Sequence, residues 1–146
     1  TVGPFLQYEG KWAVVLALTS NPSAADFELQ RMEDGGYLYE KVIDTACGWG
    51  TTDNLMFVVG ATQAKMLRGI RRLIPNHFLL VPGVGAQGGS LEEVARYGMN
   101  GRCGLLVNSS RGIIYADSTE RFAEAAAEKS AELAAEMAGL LDSYLK

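Results

Sequence analysis

Four short apolar runs divide the chain into repeating units: Trp12–Leu18 (WAVVLAL), Leu55–Val59 (LMFVV), Phe78–Val81 (FLLV) and Leu105–Val107 (LLV). Each is continuous rather than alternating, which predicts a strand covered on both faces. Between them the pattern changes to a helical period. Tyr37–Cys47 places Leu38, Val42 and Ile43 on one side, and Thr62–Leu73 groups Met66, Leu67, Ile70 and Leu73 before the stop signal Pro75. Ser90 is the expected N-cap of a helix over Leu91–Tyr97, with Glu93 completing a capping box. From Ser118 to Leu145 the Ala- and Glu-rich tail predicts one long helix anchored by Phe122, Leu133, Met137, Leu140 and Leu141.

Strands alternating with helices imply parallel pairing through right-handed crossovers, hence an α/β fold. No linker, charge block or low-complexity stretch interrupts residues 1–146, so a single domain is expected. Each strand is followed by small, polar or glycine residues: Thr19-Ser20-Asn21-Pro22, Gly60-Ala61-Thr62, Pro82-Gly83-Val84-Gly85 and Asn108-Ser109-Ser110-Arg111. A site on the C-terminal rim of a parallel sheet or barrel needs such residues, because short side chains and bare amides can approach a ligand there.

The densest signal is the segment 81–89, VPGVGAQGG, between a strand and a helix. Its amides and the following helix N-terminus can form an anion site, to which Gln87 would add a side-chain N–H. A tight turn needing positive φ is the structural alternative. The same stretch contains Gly83-x-Gly85-x-x-Gly88, the dinucleotide fingerprint, but no carboxylate ends the next strand. An Arg there suits a 2′-phosphate, so NADP binding stays open as a rival. However, the fingerprint normally opens the first unit of its fold, and here it comes after the third strand. Arg111 can grip a phosphate through two guanidinium nitrogens or make a surface salt bridge. Ser20 can read the polar edge of a heterocycle or cap a turn.

The remaining polar residues suggest less. Asp26, Glu28, Glu33 and Asp34 lack metal-ligand spacing and are expected in a solvated loop, and no metal site is expected elsewhere. Arg68, Arg71 and Arg72 are expected to form a solvated helix face. His77, the single histidine, precedes a strand at the end opposite the rim, which argues against catalysis; Trp12 and Trp49 are expected to pack.

Composition narrows the function classes. A length of 146 residues, 48% hydrophobic and 21% charged, allows one sizeable core. The net charge of −4 argues against nucleic acid as a partner. No apolar run reaches the roughly 20 residues of a membrane span, so no membrane partner is expected. Cys47 and Cys103, without CxxC or Cys/His spacing, suit a reducing cytoplasm. The chain opens on Thr1-Val2-Gly3-Pro4 with neither an initiator Met nor a signal peptide, and a fragment or processed product is expected.

Four stretches, LALTSNPSAADF (16–27), NLMFVVGAT (54–62), HFLLVPGVGAQGGSLEEVARYGMN (77–100) and LLVNSSRGIIYAD (105–117), resemble the later strands of bacterial orotidine 5′-phosphate decarboxylases of the longer-chain subgroup. The pairing of PGVGAQGG with an Arg after the next strand is specific, and the likeness runs over nearly the whole chain. It implies the C-terminal half of a (β/α)8 barrel that converts orotidine monophosphate (OMP) to uridine monophosphate (UMP) without metal or organic cofactor, usually as a homodimer. Ser20 would contact the pyrimidine edge, and Pro82 would line the base and carboxylate pocket. Gln87 and the amides near Gly88 and Gly89 would grip the phosphate together with Arg111.

The family's Asp-x-Lys-x-x-Asp motif matches nothing in the chain, so no catalytic residue is assigned. Carbanion character developing at C6 needs a cation beside it and then a proton. The length agrees, since a full barrel takes about 250 residues and four units fit here. A half barrel would expose two sheet edges and one core face, so pairing with a second copy or with the missing half is expected. A non-catalytic nucleotide-binding half barrel remains the alternative.

Overall fold

The computed structural model describes residues 2–85 and 88–145. A short helix α1 (Gly3–Leu6) leads into strand β1 (Ala13–Leu18), followed by a 3-10 turn (Pro22–Asp26) and helix α2 (Leu38–Cys47). Strand β2 (Leu55–Val59), a second 3-10 turn (Ala61–Gln63) and α3 (Ala64–Leu73) form the next unit, then β3 (Phe78–Pro82) and α4 (Leu91–Gly98). The last unit is β4 (Leu105–Asn108), the short α5 (Arg111–Ile114) and the long α6 (Phe122–Tyr144). The strands pair in parallel in the order β1-β2-β3-β4. Each strand lies beside its predecessor, as in a barrel wall. The described sheet contains no reversal of order of the kind a dinucleotide crevice requires.

The sheet is covered on one face only, as expected of a half barrel, whereas the continuous apolar runs taken singly predicted two covered faces. Leu55, Phe57, Val59, Leu79, Val81 and Leu105 point toward the helices and are buried. They meet Tyr39, Ile43 and Ala46 of α2, Leu67 and Ile70 of α3, and Leu91 and Val94 of α4. Phe57 alone, fully buried, contributes roughly 1.5–3 kcal/mol. The alternate residues face away: Val14 is 46%, Leu16 54% and Leu106 52% exposed, and Met56, Val58 and Leu80 are half-buried. A barrel interior is apolar on both sides of its wall, so the sequence pattern is that of a closed barrel while these residues form only an arc of it.

The helix faces shift from those expected. In α2 the buried stripe is Tyr39, Ile43 and Ala46, with Leu38 and Val42 half-buried. In α3 it is Ala64, Leu67 and Ile70, and Leu73 is exposed. Ser90 caps α4 by accepting the Glu93 amide at 3.2 Å, which is the half of the capping box the structure contains. Helix α6 begins at Phe122, itself exposed, and docks through Leu133, Met137 and Leu140. Trp12 sets its ring edge-on to Phe78, whereas Trp49 is half exposed.

Arg71 is not part of a solvated face. Its guanidinium donates to the carbonyls of Ile74 (3.2 Å), His77 (2.6 Å), Gly98 (2.6 Å) and Gly104 (2.8 Å). One side chain thus joins the end of α3, the entry to β3, the end of α4 and the entry to β4. Burial lowers its pKa to about 10.

Candidate functional site at the strand ends

The chain leaves β1 through an irregularity. Leu16 pairs with Val58 and Leu18 with Val59, so Ala17 is an extra residue, and Ala17 and Leu18 are buried in succession. Such a bulge bends a strand and re-aims the residues after it. Beyond it, Ser20 packs against Gly60 at the end of β2. A Cβ at Gly60 would overlap the Ser20 hydroxyl and come within 2.6 Å of the Ser20 amide nitrogen, so the close approach of these strand ends requires glycine. The Ser20 hydroxyl is shielded from solvent and has no hydrogen-bond partner among the described residues. A buried polar atom left in that state costs about 1–3 kcal/mol, which a ligand or water partner would relieve.

The residues around Ser20 were not legible as site residues. Glu28, expected in a solvated loop, accepts from the Thr19 amide (2.7 Å) and from the Thr19 hydroxyl through both carboxylate oxygens (3.1 and 3.0 Å). The Gln63 side-chain amide donates to the Thr19 carbonyl (3.4 Å), and the Thr62 hydroxyl donates to the Ser20 carbonyl (3.5 Å). These links span 42 to 44 positions, and no local sequence signal marks them.

At the other side of the rim, Pro82 ends β3 beside Asn108 of β4. The glycine loop then turns with Gly83, Gly85 and Gly88 at φ of 93°, 79° and 85°, values that L side chains rarely adopt. Both readings of the loop therefore keep support, since the turn needs these glycines for its own geometry. Gly88 donates its amide to the Gly85 carbonyl (2.7 Å), and Gly89 donates to Gly83 (3.3 Å). In this conformation those two amides bond within the loop. Gln87 lies outside the described residues. The Ser109 hydroxyl donates to the Val84 carbonyl at 3.1 Å, tying the end of β4 to the loop. Two residues on, Arg111 starts α5 with its side chain exposed. A groove of about 190 Å³, lined by Val84, Gly85, Ser109 and Gly112 among others, separates this corner from α6.

The strand ends therefore bring Ser20, Pro82, the glycine loop and Arg111 to one edge of the sheet. His77 lies at the opposite edge, one residue before β3, with its ring 5.6 Å from that of Phe57. Burial, then the neighbouring Arg71, hold its pKa below the ordinary value. Tyr39 is pushed up to about 12 by burial and by Glu40, and burial raises the Cys47 thiol. Both belong to α2 rather than to the rim. Among the described residues, no group of three His, Cys, Asp or Glu side chains could hold a metal ion, and no helix is long and apolar enough to cross a membrane.

No protein-family profile matches the chain. Individual relatives do. Over 145 residues, 99% of the chain, it is 55% identical to an orotidine 5′-phosphate decarboxylase of Bacteroides fragilis, of which it spans 53%. The orotidine 5′-phosphate decarboxylase of Porphyromonas gingivalis is 61% identical over 127 residues, which are 87% of this chain and 46% of that protein. The solved structure of Leishmania donovani OMP decarboxylase superposes with a TM-score of 0.71 at 35% identity, over 87% of this chain and 48% of that one. Likeness in sequence and in the parallel arrangement of strands thus coincide over the same residues. The chain spans about half the length of the curated relatives it matches, and over that span it belongs to the orotidine 5′-phosphate decarboxylase family.

Proposed function

We propose that this segment carries the base- and phosphate-binding loops of an enzyme that decarboxylates OMP to UMP, and that the proton donor comes from residues outside it. The observation that carries the reading is the Ser109–Val84 hydrogen bond, which holds the glycine loop and the approach to Arg111 at one corner of the rim. In this reading Arg111 supplies two N–H donors to the 5′-phosphate. The amides of Gly88 and Gly89 exchange their loop carbonyls for phosphate oxygens, and Gln87 joins them. Pro82 walls the base pocket, and Ser20 turns its hydroxyl to the pyrimidine edge.

The reaction breaks the bond between C6 and the carboxylate carbon. CO2 leaves, the electron pair stays on C6, and a proton from an ammonium group completes UMP. That step needs a cation preorganised at C6. Asp-x-Lys-x-x-Asp is absent from the sequence, so the 146-residue chain is inactive alone in this reading and needs no metal or organic cofactor when completed. The open apolar face of the sheet is closed by the rest of the protein or by a second copy, and the complete enzyme works in the cytoplasm, as a homodimer.

Assays of OMP decarboxylation by the chain alone and by full-length protein test the proposal, together with calorimetry using UMP and NADP. Turnover is expected only for the full-length protein, with UMP bound and NADP not. Turnover by the isolated chain would overturn the division of labour. Tight NADP binding without UMP binding would overturn the site. If UMP binds but the full-length protein has no decarboxylase activity, the alternative of a non-catalytic nucleotide-binding half barrel holds.

A further inference from the structure

We infer that Glu28 is a positioning residue for the base-facing end of the site: its carboxylate fixes Thr19 and thereby sets where Ser20 stands. The inference rests on the proposed reading of Ser20 and adds a residue to it.

The strand ladder gives Ser20 little support. After the bulge at Ala17, the Gly60 amide donates to the Leu18 carbonyl at 2.8 Å. The next amide, that of Thr19, is bound instead by Glu28 at 2.7 Å, and the same carboxylate takes the Thr19 hydroxyl. Bonds to an ionised acceptor are about twice as strong as neutral ones, whereas the Gln63 and Thr62 contacts, at 3.4 and 3.5 Å, are long. Glu28 is therefore the dominant restraint on the residue directly before Ser20.

Glu28 is itself anchored. Its carbonyl accepts from the amide of Tyr39, a buried residue in the first turn of α2, at 3.0 Å. Next to it, the Leu29 amide donates to Ala24, the buried residue of the 3-10 turn, at 3.1 Å. A continuous path thus runs from the packed helix layer through Glu28 to Thr19 and the rim. Such support determines whether a binding group sits within a few tenths of an ångström of its working position.

The test uses full-length protein and two ligands, UMP and ribose 5-phosphate, which share the phosphate but not the base. Glu28→Ala removes the bonds to both the Thr19 amide and the Thr19 hydroxyl; it is expected to weaken UMP about tenfold and to leave ribose 5-phosphate within about twofold. Glu28→Gln keeps an oxygen for the Thr19 amide, so it is expected to restore most of the UMP affinity. Unchanged UMP binding in Glu28→Ala, or equal loss for both ligands, overturns the proposal. Should Glu28→Ala not fold, Thr19→Val decides, because it removes only the hydroxyl contacts; a loss of about threefold for UMP alone is expected, and no loss overturns the assignment. Ser20→Ala separates the two readings. If it weakens UMP while Glu28→Ala does not, the positioning role falls and the reading of Ser20 stands. If Ser20→Ala leaves UMP binding intact, the reading of Ser20 itself falls.

Discussion

The Ser109 hydroxyl donates to the Val84 carbonyl at 3.1 Å across 25 positions of sequence, joining the end of β4 to the glycine loop after β3. Both lie in strand-end segments that the sequence singles out, but nothing local marks them as partners. Together they fix the distance between the loop and the segment that leads to Arg111.

Ser109→Ala is expected to cost about 1 kcal/mol of stability, a typical net value for one hydrogen bond. It should also weaken UMP binding several-fold, because the loop loses its tether. Urea denaturation and calorimetry check the two effects; full UMP affinity would remove the tether from the account of the site.

Arg111 is exposed and close to no carboxylate in the ion pairs of the described residues. Its replacement by Ala should therefore leave stability almost unchanged. In full-length protein it should weaken UMP by about 2 kcal/mol if the guanidinium meets the phosphate. Titration of UMP against wild type and variant measures this, and equal affinities would place Arg111 outside the site.

Gly60→Ala is expected to be destabilising by about 1–3 kcal/mol, because the new methyl group would occupy the position of the Ser20 hydroxyl. The variant Gly60→Ala/Ser20→Gly should recover part of that loss in urea denaturation. Without recovery, the conflict lies with the Ser20 backbone, whose amide nitrogen would stand 2.6 Å from the new Cβ, rather than with its side chain.

Arg71 and His77 make predictions about stability alone. Arg71→Met should cost about 3 kcal/mol or more, since four carbonyls lose their donor, and Arg71→Lys should rescue it poorly for want of the planar fork. His77 has both ring nitrogens buried and without a hydrogen-bond partner among the described residues, and its pKa is lowered below 6.5. Between the lowered folded value and 6.5 the unfolded chain binds more protons, so stability falls as pH falls through that window and levels off below it. Urea midpoints measured across that range should show the loss in wild type and a flatter profile in His77→Phe. Identical profiles would refute a buried neutral His77.

The open sheet face predicts self-association of the isolated chain. Val14, Leu16 and Leu106 are each about half exposed on one apolar surface. Light scattering after size exclusion should find a dimer or larger species at micromolar concentration; a well-behaved monomer would show that the face tolerates water.

The sequence by itself determined the four strands to within a residue or two, the helices between them and the polar character of every strand end. Those features depend on neighbours in the chain: hydrophobic period, cap residues and turn chemistry act over a few positions. The glycine loop and Arg111 likewise stood out in the sequence as candidates for an anion site, because a glycine cluster and a guanidinium are visible in the residues themselves. Tertiary structure decided which apolar face is covered, and it turned Arg71 from an expected surface cation into the clamp at the base of two strands. It also made Glu28 the partner of Thr19 and brought Ser109 to Val84. These choices arise from burial and from hydrogen bonds between segments distant in sequence. A side chain with several possible partners takes the one that the packed backbone leaves unsatisfied, and that vacancy exists only once the sheet has formed.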